Sequence, residues 1–250
     1  MNSLTQLQTV VANSADTVRD DLFAVLMSYI SLSFYILIFI PAINALKPRS
    51  MNDYLGFVLP GLVVIAFISG VSQQALHIWA ATSQKIMPYW LSLPCSRKFF
   101  LLMFSFQACL HGLVYSVPLL FLHLVLSGPS VGVLSNIIGW AVLVCLSSVL
   151  LFLVNFCLVL AMARTPYFTL IFQTSQPILV RVAPVFYPLT FLPLIALPFA
   201  VINPVTWVVM AMRDPRVIIT VIGVLTVFVV FLLAVTDKYW KRKVDGGALL

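Results

Sequence analysis

An all-α integral membrane protein is the fold class this sequence predicts, and three observations predict it. Hydrophobic residues make up 62% of the 250 and charged residues 8%, and the mean hydropathy is +1.10, whereas soluble domains hold about 45 to 50% apolar residues. The apolar residues gather in long runs, and roughly 20 such residues form a helix that crosses a hydrocarbon core of about 30 Å. Most basic residues stand in short stretches flanking those runs, so the net charge of +7 carries topology information and is not a nucleic-acid footprint. Read in order, the runs predict six transmembrane helices in one membrane domain, an N-terminal amphipathic interfacial helix, and re-entrant helices between spans five and six.

Residues 1–21 form the leader. Leu4, Leu7, Val11, Val18 and Leu22 share one helical face, Ser3 and Gln6 stand at capping-box spacing, and Gln6, Gln8, Asn13 and Asp16 fill the other side. Such a helix lies in the plane of the interface and does not cross it. The basic n-region of a cleavable signal is missing here.

The membrane domain covers residues 22–236. Span one occupies about 22–43 and is followed by a polar stretch holding Lys47, Arg49 and Asp53; span two occupies about 55–78. Residues 79–98, WAATSQKIMPYWLSLPCSRK, carry Pro88, Pro94 and a basic end, which predicts an interrupted helix on the membrane surface. Span three, about 99–126, contains Pro118, and a turn with Gly128, Pro129 and Gly132 leads to span four at about 134–162.

From Pro166 to Pro215 the chain holds eight of its 15 prolines yet stays apolar. No single helix tolerates that density, and broken backbone at membrane depth survives only where protein or a water-filled cavity satisfies it. A fifth span at about 167–183, re-entrant pieces at 184–202 and a sixth span at about 216–236 follow from this, before a basic cytoplasmic tail over 237–250. Asn203 ahead of Pro204 is placed to cap the next helix.

Six spans put both termini on one side. With that side cytoplasmic, Arg19, Lys85, Arg97, Lys98, Arg164, Lys238, Lys241, Arg242 and Lys243 lie inside, against Lys47, Arg49, Arg181, Arg213 and Arg216 outside. The bias favours cytoplasmic termini in the plasma membrane.

The chemistry that is missing narrows the function. There is no glutamate, and the aspartates Asp16, Asp20, Asp21, Asp53, Asp214, Asp237 and Asp245 all fall outside the middle of a predicted span. Ion-driven transporters keep carboxylates near the midplane, so a self-powered transporter is disfavoured. His77, His111 and His123 lie on spans two and three with no acid near them in sequence. They read as structural, with a proton relay as the competing reading. Cys95, Cys109, Cys145 and Cys157 form no CxxC, so neither a disulfide nor a metal is expected. No lysine follows a glycine, which removes the phosphate-binding GxxxxGK[ST] loop. Any ATP is therefore bound elsewhere. Asn155, Gln107, Gln173 and Gln176 are neutral polar residues inside spans, suited to interhelical hydrogen bonds. Phe34, Tyr35, Asn155, Gln173 and Gln176 are the candidate substrate path.

Four features in order resemble the permeases of type-2 ABC exporters. The amphipathic leader is similar to that family's interfacial connecting helix, and DYLGFVLPG at 53–61 resembles its entry to span two. LSLPCSR at 91–97 resembles the motif after its coupling helix, and VFYP at 185–188 with INPVT at 202–206 resembles its re-entrant region. The family carries acids just ahead of its coupling segment, where this chain has Ser83, Gln84 and Lys85.

The resemblance implies a permease that moves a drug, lipid or glycan-linked lipid outward. Its partners would be a cytoplasmic ABC ATPase subunit, a second permease copy in a homodimer or paralogous heterodimer, and the lipid bilayer, with no nucleic acid. This chain would bind no cofactor, ATP and Mg being held on the partner subunit. Residues 81–94 would be the coupling segment, docking through Ser83, Gln84, Lys85, Ile86, Met87, Pro88, Tyr89, Trp90 and Leu91, large contacts of the kind interfaces favour. Phe186, Tyr187, Pro188, Asn203 and Pro204 would form a re-entrant gate. A self-contained channel or facilitator without ATP coupling is the alternative, and a membrane-embedded transferase or protease is a third class that would need a catalytic histidine or serine.

Overall fold

In hydrocarbon a backbone N–H or C=O finds no water, so a long apolar run pairs its own polar groups by closing into a helix. The structure, a computed structural model, describes residues 19, 21–34, 37, 54–84, 86, 96–127, 131–162 and 167–245, and there is no strand among the described residues. In chain order, α1 is Leu22–Phe34, α2 is Tyr54–Ser83, α3 is Arg97–Ser127, α4 is Val131–Met162 and α5 is Tyr167–Val182. A short α6, Leu197–Ile202, precedes α7, Pro204–Arg213, and α8, Ile218–Asp245, with 3-10 turns at Leu189–Phe191 and Pro215–Val217.

Among the described residues, four helical stretches are long and apolar enough to cross a membrane: Gly56–Ser83, Arg97–His123 and Ser135–Met162, within α2, α3 and α4, and Pro215–Val244, which joins the 3-10 turn to α8. The chain is accordingly a helical membrane protein. These helices fall on the second, third, fourth and sixth spans expected from the sequence. The described part of α1 has 13 residues and α5 has 16, lengths of about 20 and 24 Å at about 1.5 Å per residue. Both fall short of the roughly 30 Å core. Of the residues 35–43 expected to complete span one, Leu37 alone is described, and the leader is described only at Arg19 and Asp21.

Two helices run past their expected ends. α2 continues to Ser83, and α8 continues through Asp245. The basic residues from Lys238 to Lys243 are therefore a helical extension of the last span. Trp240 in that extension is 1% exposed and meets Phe156 of α4 edge-on at 5.1 Å.

The core is the packing of α2, α3 and α4 on one another, with α7 and one stripe of α8 against it. Small residues let the backbones approach, the usual device where lipid supplies no hydrophobic drive between helices. A Cβ at Gly70 of α2 would stand 2.7 Å from the His111 backbone oxygen of α3. One at Gly112 of α3 would stand 2.0 Å from Ser148 Oγ of α4. Gln74 of α2 donates from Nε2 to the Phe104 carbonyl of α3 at 2.6 Å, and Phe104 packs 6.2 Å from Phe156. With Trp240 beside Phe156, these contacts gather the end of α2, the start of α3 and the ends of α4 and α8 at one end of the bundle. Arg97, Lys98 and the basic residues of α8 share that end.

A candidate intramembrane groove

α2 and α5 diverge to leave a cavity of about 480 Å³. From α2, Ile65, Ile68 and Leu76 make an apolar wall, broken by Ser69 and Ser72. From α5, Phe172 and Val180 face them, together with the amides of Gln173 and Gln176 and, at one end, Arg181. The Ser72 hydroxyl lies against both the Ile68 carbonyl and Oε1 of Gln176, while Ser69 donates to the Ile65 carbonyl at 3.0 Å. The Gln176 amide is thereby aimed by α2, and the Gln173 side chain stands exposed beside it. Stacked rings bound this side of the bundle: Trp79 lies 5.4 Å from Phe168, which lies 5.4 Å from Phe172.

The proline-dense connection closes the Arg181 end. Phe186 lines the groove, and the Tyr187 hydroxyl donates to the Arg181 carbonyl. Burial pushes the Tyr187 phenol above its ordinary range, which keeps it a neutral donor. Pro188 is extended at φ −66 and ψ 149 and starts the 3-10 turn Leu189–Phe191. Asn203, 5% exposed, caps α7: its side-chain oxygen accepts from the Val205 N–H at 3.0 Å, with Pro204 in the first turn. Its Nδ2 donates to the Leu179 carbonyl of α5 at 2.7 Å. One side chain thus ties the helix behind the connection to the helix before it.

Of the candidate path residues, Gln173 and Gln176 come together at the groove. Asn155 is buried on α4 and is not part of the lining, Phe34 is exposed on α1, and Tyr35 lies outside the described residues. Of the proposed docking surface, Ser83 is exposed at the end of α2 and Gln84 and Ile86 are exposed beyond it, whereas Lys85 and the residues from Met87 to Leu91 lie outside the described residues. A second cavity, about 470 Å³, lies between α1 and α3 and is almost wholly apolar, with Tyr29 and Ser33 as its polar members.

Sequence reasoning passed over Arg213, counting it only as an outside charge. In the fold, its guanidinium donates to the Phe57, Pro184 and Val185 carbonyls at 3.1, 2.6 and 2.7 Å. It also sits 3.7 Å over the Phe57 ring. A planar fork with several donors suits this work, since it reaches one carbonyl in the first turn of α2 and two in the proline-dense turn at once. The nearby close approach explains Gly61: a Cβ there would meet the Val185 carbonyl oxygen at 2.7 Å. Ser96, at the start of the SR pair, accepts from the Phe99 N–H at 3.2 Å and caps α3.

A second correction concerns the acids and histidines. Asp21 is 8% exposed, and its carboxylate lies 2.8 Å from His77 Nε2 on α2 and 3.2 Å from His111 Nε2 on α3. His111 is near the middle of α3. Asp21, at the edge of α1, thus brings an acid to His77 and His111 from far away in sequence, while His123 stacks on Trp140 at 4.4 Å.

No family model matches the chain, and no curated protein or solved structure matches it.

Proposed function

We propose that this chain is the membrane subunit of an ATP-driven exporter that moves a lipophilic or amphipathic molecule, such as a drug, a lipid or a glycan-linked lipid, out of the cell. The observation that carries the reading is the groove between α2 and α5, where amides and hydroxyls stand in an otherwise apolar wall. Hydrocarbon portions of a cargo suit Ile65, Ile68, Phe172 and Val180, and a polar head suits Gln173 and Gln176. The order of the motifs along the chain, and the sequence's want of a phosphate-binding loop, support placing ATP and Mg on a separate ATPase subunit.

In this reading α1 continues through residues 35–43 as the first span and α5 serves as the fifth, which makes six. The pieces from Pro184 to Ile202 re-enter from the outer face, because each is far below the roughly 20 residues of a span and no charge in the stretch marks a cytoplasmic turn. Residues 81–94 dock the ATPase, both termini are cytoplasmic, and a second copy completes the pathway in the plasma membrane.

Reconstitution tests the proposal. The chain is placed in liposomes with and without the ATPase recovered beside it, and efflux of a fluorescent phospholipid and of a cationic amphipathic dye is followed. ATP-dependent efflux that needs both proteins, and that weakens in Gln173→Leu and Gln176→Leu, is the expected result. Flux from the lone chain without ATP would instead identify a self-contained channel. Unchanged efflux in both glutamine variants would remove the groove from the path.

A further inference from the structure

The Asp21 site contains a hydrogen-bonding problem that only an extra proton solves. His111 Nδ1 lies 2.9 Å from the Gln107 carbonyl, one turn earlier on α3. A carbonyl only accepts, so Nδ1 carries a hydrogen and donates it. In a neutral imidazole the other nitrogen, Nε2, is then a bare lone pair. Yet Nε2 faces Oδ2 of Asp21 at 3.2 Å, in a site where the His111 side chain is 1% exposed. Two buried acceptors at that distance repel, and in a site this dry the penalty is not screened.

We infer that Asp21 and His111 form a proton-binding site, in which one proton taken from water sits on His111 Nε2 and is donated to Oδ2 of Asp21, fastening the start of α1 to the middle of α3. The bound state is then a buried imidazolium paired with a carboxylate, neutral as a pair. The second carboxylate oxygen, Oδ1, lies 2.8 Å from His77 Nε2. The His77 side chain is 50% exposed, so it links the buried pair to water.

Among the described residues, the other ionisable groups at the site are Tyr115 and Tyr29, with Arg19 exposed two positions ahead of Asp21. Tyr115, one turn past His111 on α3, interacts electrostatically with Asp21 and with Tyr29 of α1. The Tyr29 hydroxyl donates to the Val114 carbonyl, while the Tyr115 hydroxyl is buried with no partner among the described residues. Of the charged residues on the elements packed here, Arg97 and Lys98 stand at the far start of α3, and α1 carries none over Leu22–Phe34. Opposite His111, Gly70 of α2 presses on its backbone, so the imidazole cannot retreat by shifting α3. Losing the proton therefore leaves one relief, which is movement of Asp21. Binding of that proton and docking of α1 are therefore linked, and docking is lost when the proton is released. This holds whether or not the chain is an exporter.

The full chain in lipid nanodiscs tests the inference by two measurements. Nitrogen-15 spectra of the histidine rings, with His111 assigned from His111→Gln, should show both His111 nitrogens protonated at neutral pH. Hydrogen exchange over residues 22–31, corrected for its intrinsic pH dependence, should be slow there and should speed up as the pH is raised until that signature disappears. Asp21→Ala should expose the segment at every pH. Asp21→Asn is the discriminating variant, because its amide N–H is a fixed donor to a neutral Nε2. It should return His111 to the neutral, Nδ1-protonated form and keep the segment protected with no dependence on pH. A wild-type His111 that is neutral at neutral pH overturns the inference, as does loss of protection in Asp21→Asn equal to that in Asp21→Ala. A His111 signature that follows added zinc or chelator and not pH would make this a metal site and overturn it as well.

Discussion

The two sides of this bundle bury their apolar residues to different degrees. In the most apolar stretch of α2, 72% is buried within the chain; in that of α8 the share is 17%. Hydrophobicity alone does not distinguish them, since α8 is the more hydropathic of the two. What differs is the spacing of small residues. α2 brings Gly61 and Gly70 against the Val185 and His111 backbones, and α3 brings Gly112 against Ser148. α8 offers one buried stripe through Leu225, Val229 and Thr236 and leaves Ile219, Val227 and Phe231 facing outward. In a bilayer, lipid is as apolar as leucine, so close packing and internal hydrogen bonds decide which helices form the scaffold. α2, α3 and α4 meet that condition. α8 packs along α4 by one stripe and turns its remaining faces outward, while the proline-broken connection is held by side-chain ties to backbone carbonyls.

The largest expected effect follows from breaking the scaffold at its closest contact. In Gly70→Val the first added carbon meets backbone and not a flexible side chain, at 2.7 Å from the His111 oxygen. Overpacking of this kind costs about 3 kcal/mol. Loss of the monodisperse species on size-exclusion chromatography in mild detergent is the expected outcome, and a variant with wild-type elution and thermal midpoint would break the distinction between scaffold and flank.

The next effect is at the junction between the two sides. Arg213→Ala removes the donors that reach Phe57, Pro184 and Val185. Hydrogen bonds to a charged group contribute about 2 kcal/mol each, and Pro184 and Val185 are buried, so a net loss of about 3 kcal/mol is expected by thermal unfolding. Arg213→Lys should recover less than half, because an ammonium cannot span carbonyls that the planar fork serves together. Full recovery by lysine would show that charge, and not the fork, ties the connection to α2.

The scaffold was easier to read from the sequence than the ties. α2, α3, α4 and α8 are each announced by an apolar run long enough to cross a bilayer, and that signal needs no tertiary information. The capping role of Asn203 was also legible, because asparagine followed by proline is a local pattern. The Asp21 contacts were not: they join residues 56 and 90 positions apart in the chain, and an aspartate at the edge of a leader looks the same whether it faces water or is carried inward along α3. Arg213 was hidden for a similar reason. Its partners are backbone carbonyls, which leave no mark in the residue types around them.

A smaller effect tests the connection alone. Asn203→Ala removes the cap on α7 and the bond to Leu179, which joins α5 to the far side of the proline-dense stretch. Loss of an N-cap costs about 1 kcal/mol. Hydrogen exchange should therefore rise over 183–203 while the exchange of α2 and α3 stays unchanged. Equal loosening of both regions would mean that the connection is part of the scaffold.

The smallest effect sharpens the comparison from the other side. A Cβ added at Gly223 of α8 meets nothing within 4 Å, in contrast to the glycines of α2 and α3. A helix-interior glycine costs up to about 1 kcal/mol relative to alanine through backbone freedom. With no steric charge to set against that gain, Gly223→Ala should leave stability unchanged or raise it by about 0.5 kcal/mol, seen as a small upward shift of the thermal midpoint in detergent. The same substitution also reports on what covers the outward face of α8. If lipid covers it, a methyl group displaces a mobile chain and the oligomeric state in nanodiscs is indifferent. If a second copy packs its backbone there, Gly223 does for the pair of chains what Gly70 does within one. In that event Gly223→Ala lowers the thermal midpoint and reduces chemical crosslinking between copies, and α8 belongs to a scaffold that a single chain does not complete.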